Sequence, residues 1–168
     1  MSGLEILVTL ETADWPLELE PLVHRAARAA LATRVLPAGL EGELGVTLSD
    51  DATVQALNRD HRNKDRPTNV LSFPLTDGTL TPEAAGAPLL LGDVILAFET
   101  VAAEAAAQGK SLADHTAHLV VHGVLHLLGH DHEDDDQAVA MERLEVAVLA
   151  GLTIADPYAC SPSPLVPQ

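Results

Sequence analysis

Aromatic side chains are nearly missing: phenylalanine, tryptophan and tyrosine make up 2% of the chain. The interior must therefore be built from leucine, valine and alanine, and an RNA site would have few rings on which bases could stack. Cysteine is reduced to Cys160, in a proline- and serine-rich tail. With no partner for a disulfide, a reducing compartment is indicated and a thiolate metal site is not expected. No uncharged apolar run approaches the roughly 18 residues that a membrane helix needs. The start, Met1 to Glu5, has no basic region, and Glu5 interrupts any apolar stretch, so no signal peptide is read. The expectation is a soluble, cytoplasmic protein without a membrane partner.

Positive charge is scarce as well. Nine lysines and arginines face 25 aspartates and glutamates, for a formal net charge of −16. That balance argues against nucleic acid as a partner. Its distribution argues the other way, because four of the nine cations, Arg59, Arg62, Lys64 and Arg66, fall within eight positions. A positive island on an acidic protein is worth explaining, with a solvated turn as the plain alternative to a binding role.

What is present is an ordinary globular mixture, 47% hydrophobic over 168 residues, enough for one domain with a real core. Residues 4–10 read as a strand and 18–33 as a helix, with Pro21 tolerable in its first turn. Residues 43–48 alternate as a second strand. Asp50 and Asp51 then offer an N-cap to a helix carrying Val54 and Leu57. Asn69 to Phe73 form a short strand closed by Pro74, and Leu75 to Pro88 read as a loop. Leu91 to Phe98 read as a buried strand, in which Asp93 would need a partner, and Glu99 to Gln108 as a helix stopped by Gly109. Ser111, with Asp114 three residues on, opens a helix that ends at Gly129, and residues 134–150 make the last helix. The fold class is α+β: one domain over residues 1–153, with a sheet of about four strands covered by about five helices. Residues 154–168 are expected to form a flexible tail.

Six of the eight histidines lie between His115 and His132. His122 and His126, four apart on a helix, share a face and can grip one ion. Four residues rise roughly 6 Å along a helix, whereas metal–nitrogen bonds span about 2.0–2.1 Å. A third ladder position therefore cannot reach the same ion. Gly129 breaks the helix so that His132 can fold back, and His130 is the rival third ligand. His115 and His118 read as core residues, as does Met141. The pattern H-x-x-x-H-x-x-G-x-x-H has the ligand spacing and glycine of the metzincin proteases. Three histidines are the composition of a catalytic zinc site with one position left for water. Zinc peptidases, however, place glutamate directly after the first histidine as general base. Here that residue is Gly123.

The segment His122-Gly-x-Leu-His126-Leu-x-Gly-x-Asp131-His132 resembles the signature of the YbeY family of bacterial ribosomal-RNA-processing endoribonucleases. Residues 58–74 resemble that family's second hallmark, R-x-K-D-x-P-T-N-V-L-S-F-P, and Leu91-Gly-Asp-Val-Ile95 a third, weaker block. The resemblance implies a compact α+β fold with a zincin-like metal helix and one zinc ion on His122, His126 and His132. It implies cleavage of single-stranded RNA in small-subunit ribosomal RNA maturation and ribosome quality control, with the small ribosomal subunit as partner and no role for DNA. Arg62 takes the functionally important arginine position, and Arg59, Lys64 and Arg66 would hold neighbouring phosphates. Two alternatives stand beside this reading: a zinc peptidase with its base elsewhere, and a ribosome-associated assembly factor whose zinc is structural.

Overall fold

A computed structural model describes residues 3–34, 41–64, 68–74, 89–130 and 134–158, without the side chains at 41, 62, 89 and 90. The expected loop over Leu75 to Pro88 lies outside these residues. Four strands form one sheet in the order β1-β2-β4-β3. They are β1 (Gly3–Leu10), β2 (Glu41–Ser49), β3 (Val70–Pro74) and β4 (Leu89–Ala97). β1, β2 and β4 run parallel, and β3 joins β4 antiparallel at the edge. An edge is where a strand ending in Pro74 belongs, since proline cannot donate to a further neighbour. The α+β architecture expected from the sequence is present.

Five helices cover the sheet: α1 (Leu19–Leu31), α2 (Asp51–Arg62), α3 (Phe98–Gln108), α4 (Leu112–Leu127) and α5 (Asp135–Gly151). Three begin on caps whose side chains satisfy otherwise orphaned amides. Asp50 accepts from the Thr53 amide at 2.8 Å, Ser111 from Asp114 at 3.0 Å, and Asp134 from Gln137 at 2.8 Å. α4 stops in a Schellman turn: the His130 amide donates to the Leu125 carbonyl and the Gly129 amide to that of His126. Gly129 there has a φ of 99°, open to glycine and strained for other residues.

Leu4, Ile6, Leu44, Val46, Leu48, Val94 and Leu96 point from the sheet into one core, which α1 and α4 close. A bulge of β4 opposite Glu43 and Leu44 lets Leu91 and Val94 both face this core. α2 packs on the other face through Val54 and Leu57 against Leu71, Phe73 and Ile95. Asp93 belongs to that second face and is exposed, so water solvates it and the partner expected for a buried carboxylate is not required. Trp15, 1% exposed, donates its indole N–H to the Ser49 carbonyl at 2.8 Å and meets Phe98 edge to face. Residues 152–158 follow α5 and return along the molecule, with Ile154 buried in the main core. The first five residues of the expected tail therefore belong to the packed structure. No helix among the described residues is long and apolar enough to cross a membrane.

Candidate metal centre

α4 is apolar almost all round because α1, α3, α5 and β3 surround it, so its polar residues face protein rather than water. Gly123 makes the closest approach. A Cβ there would lie 2.6 Å from Val94 Cγ1 and 3.2 Å from Ser72 Oγ. Ser72 also donates its hydroxyl to the Gly123 carbonyl at 3.0 Å, tying β3 to the histidine helix. The position where zinc peptidases carry their base thus faces the sheet, where a side chain would press on Val94.

On the stripe of α4 next to Gly123 the histidines stand in a row. His122 Nε2 and His126 Nε2 are 3.2 Å apart, with ring centroids 4.6 Å apart. His118, one ladder step back, does not join them; its Nε2 turns to Glu145 Oε1 at 2.7 Å. Glu145 comes from α5 and is 1% exposed. Its Oε2 accepts from His122 Nδ1 at 2.8 Å, and its Oε1 also accepts from the Tyr158 hydroxyl at 2.5 Å. Burial alone would push the Glu145 carboxyl up. Hydrogen bonds from His118, His122 and Tyr158 outweigh it and hold the group down to about 2. Burial, and then the carboxylate it faces, push the Tyr158 phenol well above the usual tyrosine range, so it remains a donor. A cavity of about 200 Å³ opens beside His122, lined by Ala138, Met141, Glu142, Glu145 and Tyr158.

The donor chemistry fits a cation such as zinc. Because Glu145 is an acceptor, a neutral His122 carries its proton on Nδ1 and turns the lone pair of Nε2 toward His126. Two nitrogens bonded at about 2.0–2.1 Å with a tetrahedral angle between them sit about 3.3 Å apart. The His122–His126 separation is 3.2 Å. Among the described residues no three His, Cys, Asp or Glu side chains gather as a metal site. The third expected ligand, His132, lies outside them. His130 is half-buried past the Schellman turn.

His115 and His118 are buried, as read from the sequence, but His118 belongs to the Glu145 network rather than to an inert core. His115 Nε2 meets Glu104 Oε1 at 2.9 Å, and the same oxygen accepts from Asn69 Nδ2 at 3.0 Å, fastening the start of β3 to α3 and α4. Burial lowers the His115 pKa below the usual histidine value, and Glu104 offsets this only in part. The folded state therefore binds this proton less readily than the unfolded chain does. The resulting stability is complete above about pH 6.5 and is lost as pH falls through the lowered value. Urea midpoints at pH 7.5 and 5.5 should fall further for the wild type than for His115→Gln, which cannot titrate. Equal falls would remove His115 from this role.

The basic island is only partly described. Arg62 is the last residue of α2, because Asn63 takes the left-handed cap with a φ of 57°. Arg59 is exposed and pairs with Asp60 at 3.2 Å. Lys64 is exposed, and Arg66 lies outside the described residues. α2 and α4 both contact β3, the edge strand, from its two faces. Glu145 and Tyr158 had not been singled out in the sequence. Glu145 shares a buried stripe of α5 with Met141 and Leu149, and a glutamate on such a stripe was the signal.

Fold and site together define a single-sheet α+β domain that carries a carboxylate-backed histidine pair near the end of a buried helix. The chain belongs to the YbeY family. The family model described as Endoribonuclease YbeY matches residues 8–153. A relative from Paramagnetospirillum magneticum named Endoribonuclease YbeY is 58% identical over 92% of this chain and 96% of its own length. Relatives of the same name from Azorhizobium caulinodans and Sphingopyxis alaskensis are 51% and 48% identical over 93% and 91% of this chain, and 97% and 98% of their own. The solution structure of the Thermotoga maritima protein TM1509 superposes with a TM-score of 0.56 over 96% of this chain and 100% of that one, at 20% identity, a likeness of fold.

Proposed function

We propose that this protein is a zinc-dependent endoribonuclease that cuts single-stranded RNA in small-subunit ribosomal RNA maturation and ribosome quality control. The observation that carries the metal-dependent part is the His122–His126 pair with its Nδ1–H already committed to Glu145. The substrate class rests on family membership, whose curated relatives bear the name endoribonuclease. His122, His126 and His132 would hold one zinc ion. Bound there, zinc supplies Lewis acidity toward a water or a phosphoryl oxygen.

The chain's own residues supply the rest. Glu145 keeps His122 in the ligating tautomer. Gly123 leaves the helix without the carboxylate base of a peptidase, which disfavours peptide cleavage. Phosphodiester hydrolysis gathers negative charge on the phosphoryl oxygens, and the Arg62 guanidinium is the group we assign to neutralise it. Arg59, Lys64 and Arg66 would grip adjoining phosphates, with Arg59 leaving Asp60 to do so, and would make binding strongly salt-dependent. An RNA strand drawn over the β3 edge would meet the end of α2 on one side and α4 on the other.

The test is cleavage of an end-labelled single-stranded ribosomal RNA fragment by zinc-loaded wild type and by His126→Ala purified identically. Cleavage by the wild type and at least about 100-fold less by the variant is expected, as for loss of a group acting on the transition state. Equal cleavage by both proteins would expose a contaminating nuclease. Silence from both would favour the assembly-factor reading.

A further inference from the structure

The C-terminal segment ends its described course on the least exposed carboxylate of the site. Ile154 is buried in the core, and the Pro157 carbonyl accepts from Lys110 Nζ at 3.1 Å. Asp156 Oδ1 accepts from the Tyr158 amide at 2.8 Å, a turn that sets the phenol beside Glu145 while the residue stays 42% exposed. The ring meets His118 edge to face with centroids 5.3 Å apart, while the hydroxyl reaches Glu145. Nothing else in this aromatic-poor protein places a ring against the histidine row, among the described residues.

A glutamate does not fix its own carboxylate plane. The last side-chain torsion is broad and nearly two-fold, so the donors around it decide which oxygen faces where. Among the described residues Oε2 has one donor, His122, and Oε1 has two, His118 and Tyr158. His118 holds Oε1 with less polar support, because among the described residues its buried Nδ1 has no hydrogen-bond partner to serve as a second anchor. Tyr158 has one, in the turn and strap behind it.

We propose that Tyr158 is a positioning residue: its hydroxyl locks the Glu145 carboxylate so that Oε2 holds His122 in the Nδ1–H tautomer, with the lone pair of Nε2 turned to the side it shares with His126. This inference rests on the metal reading above, yet its first readout needs no metal. It also gives the C-terminal strap a role at the site, since Lys110 and Asp156 act on His122 through it.

The experiment compares wild type, Tyr158→Phe and Lys110→Ala. Tyr158→Phe keeps the ring against His118 and removes only the donor; Lys110→Ala loosens the strap from outside. In metal-free protein, ¹⁵N NMR of the imidazoles should show His122 protonated at Nδ1 in the wild type and as a tautomer mixture in Tyr158→Phe. Zinc affinity, measured by competition with a chromophoric chelator, should fall about tenfold in Tyr158→Phe, as for loss of an outer partner of a ligand. Lys110→Ala should move both readouts in the same direction by less. Unchanged His122 nitrogen shifts in Tyr158→Phe overturn the proposal, even if zinc binding weakens, because the strap would then act by general loosening. If none of the proteins binds zinc, the metal reading fails while the nitrogen spectra still decide the clamp.

Discussion

Gly123→Glu, the substitution that would write a zinc-peptidase motif into α4, yields a severely destabilised protein and no peptidase. The glutamate would begin with a Cβ 2.6 Å from Val94 Cγ1 and 3.1 Å from Cγ2. Val94 is 0% exposed on a strand paired on both sides, and its branched side chain has little freedom to turn away. Overpacking of this kind costs about 1–3 kcal/mol. Forcing an unpartnered carboxylate between helix and sheet adds several more, for a total of at least about 4 kcal/mol. Small domains have only about 5–15 kcal/mol to lose. Gly123→Ala separates the two contributions. Its helix propensity gains about 1 kcal/mol against a clash of about 1–3 kcal/mol, so a net loss of up to about 2 kcal/mol is expected. In a Val94→Ala background the same alanine should become neutral or stabilising, a coupling that only direct contact produces. Urea midpoints of the four proteins measure it. A folded Gly123→Glu protein with the wild-type midpoint would mean that α4 does not lie this close to the sheet.

That contact shows which parts of the protein could be read in advance. The caps at Asp50, Ser111 and Asp134 and the stop at Gly129 are local chemistry, settled within four or five residues, and each stands where its side chain or backbone requires. The His122–His126 pairing is local too, being one helix step. The partners of the site are not local. Glu145 lies 23 residues beyond His122 and Tyr158 lies 40 beyond His118, so neither shares a motif with the residue it touches. Proline-rich composition marked the strap as a tail, yet one apolar residue, Ile154, and one lysine contact suffice to fasten it. Asp93 misled for a related reason. Its strand reads as wholly buried, but α2 covers only part of the second face of the sheet, and Asp93 stands beyond it. Gly123 was read as a missing base, which is right chemically. The physical cause, a helix laid on Val94 and Ser72, required the sheet register.

Glu145→Ala should be the most damaging single change at the site, and it should damage the metal-free protein first. Three donors, His118 Nε2, His122 Nδ1 and the Tyr158 hydroxyl, lose their common acceptor at a position 1% exposed. Removing one member of such a buried charged network costs about 3–5 kcal/mol. Glu145→Gln keeps the volume and poses a different problem. An amide has an acceptor on one side and donors on the other. With its oxygen toward His122, the amide NH₂ confronts His118; with its NH₂ toward His122, that ring must move its proton to Nε2. The first arrangement preserves the ligating lone pair and the second abolishes it. Stability should therefore fall only about 1–2 kcal/mol in the glutamine variant. Zinc affinity should fall by about 10–100-fold, the usual effect of spoiling the group behind a ligand. Urea unfolding without metal and chelator competition with it separate the two effects. Alanine must lose more stability than glutamine, and glutamine must lose more affinity than its stability loss predicts. If Glu145→Ala unfolds at the wild-type urea concentration, the carboxylate is not the anchor of this site, and His122 is oriented by something else.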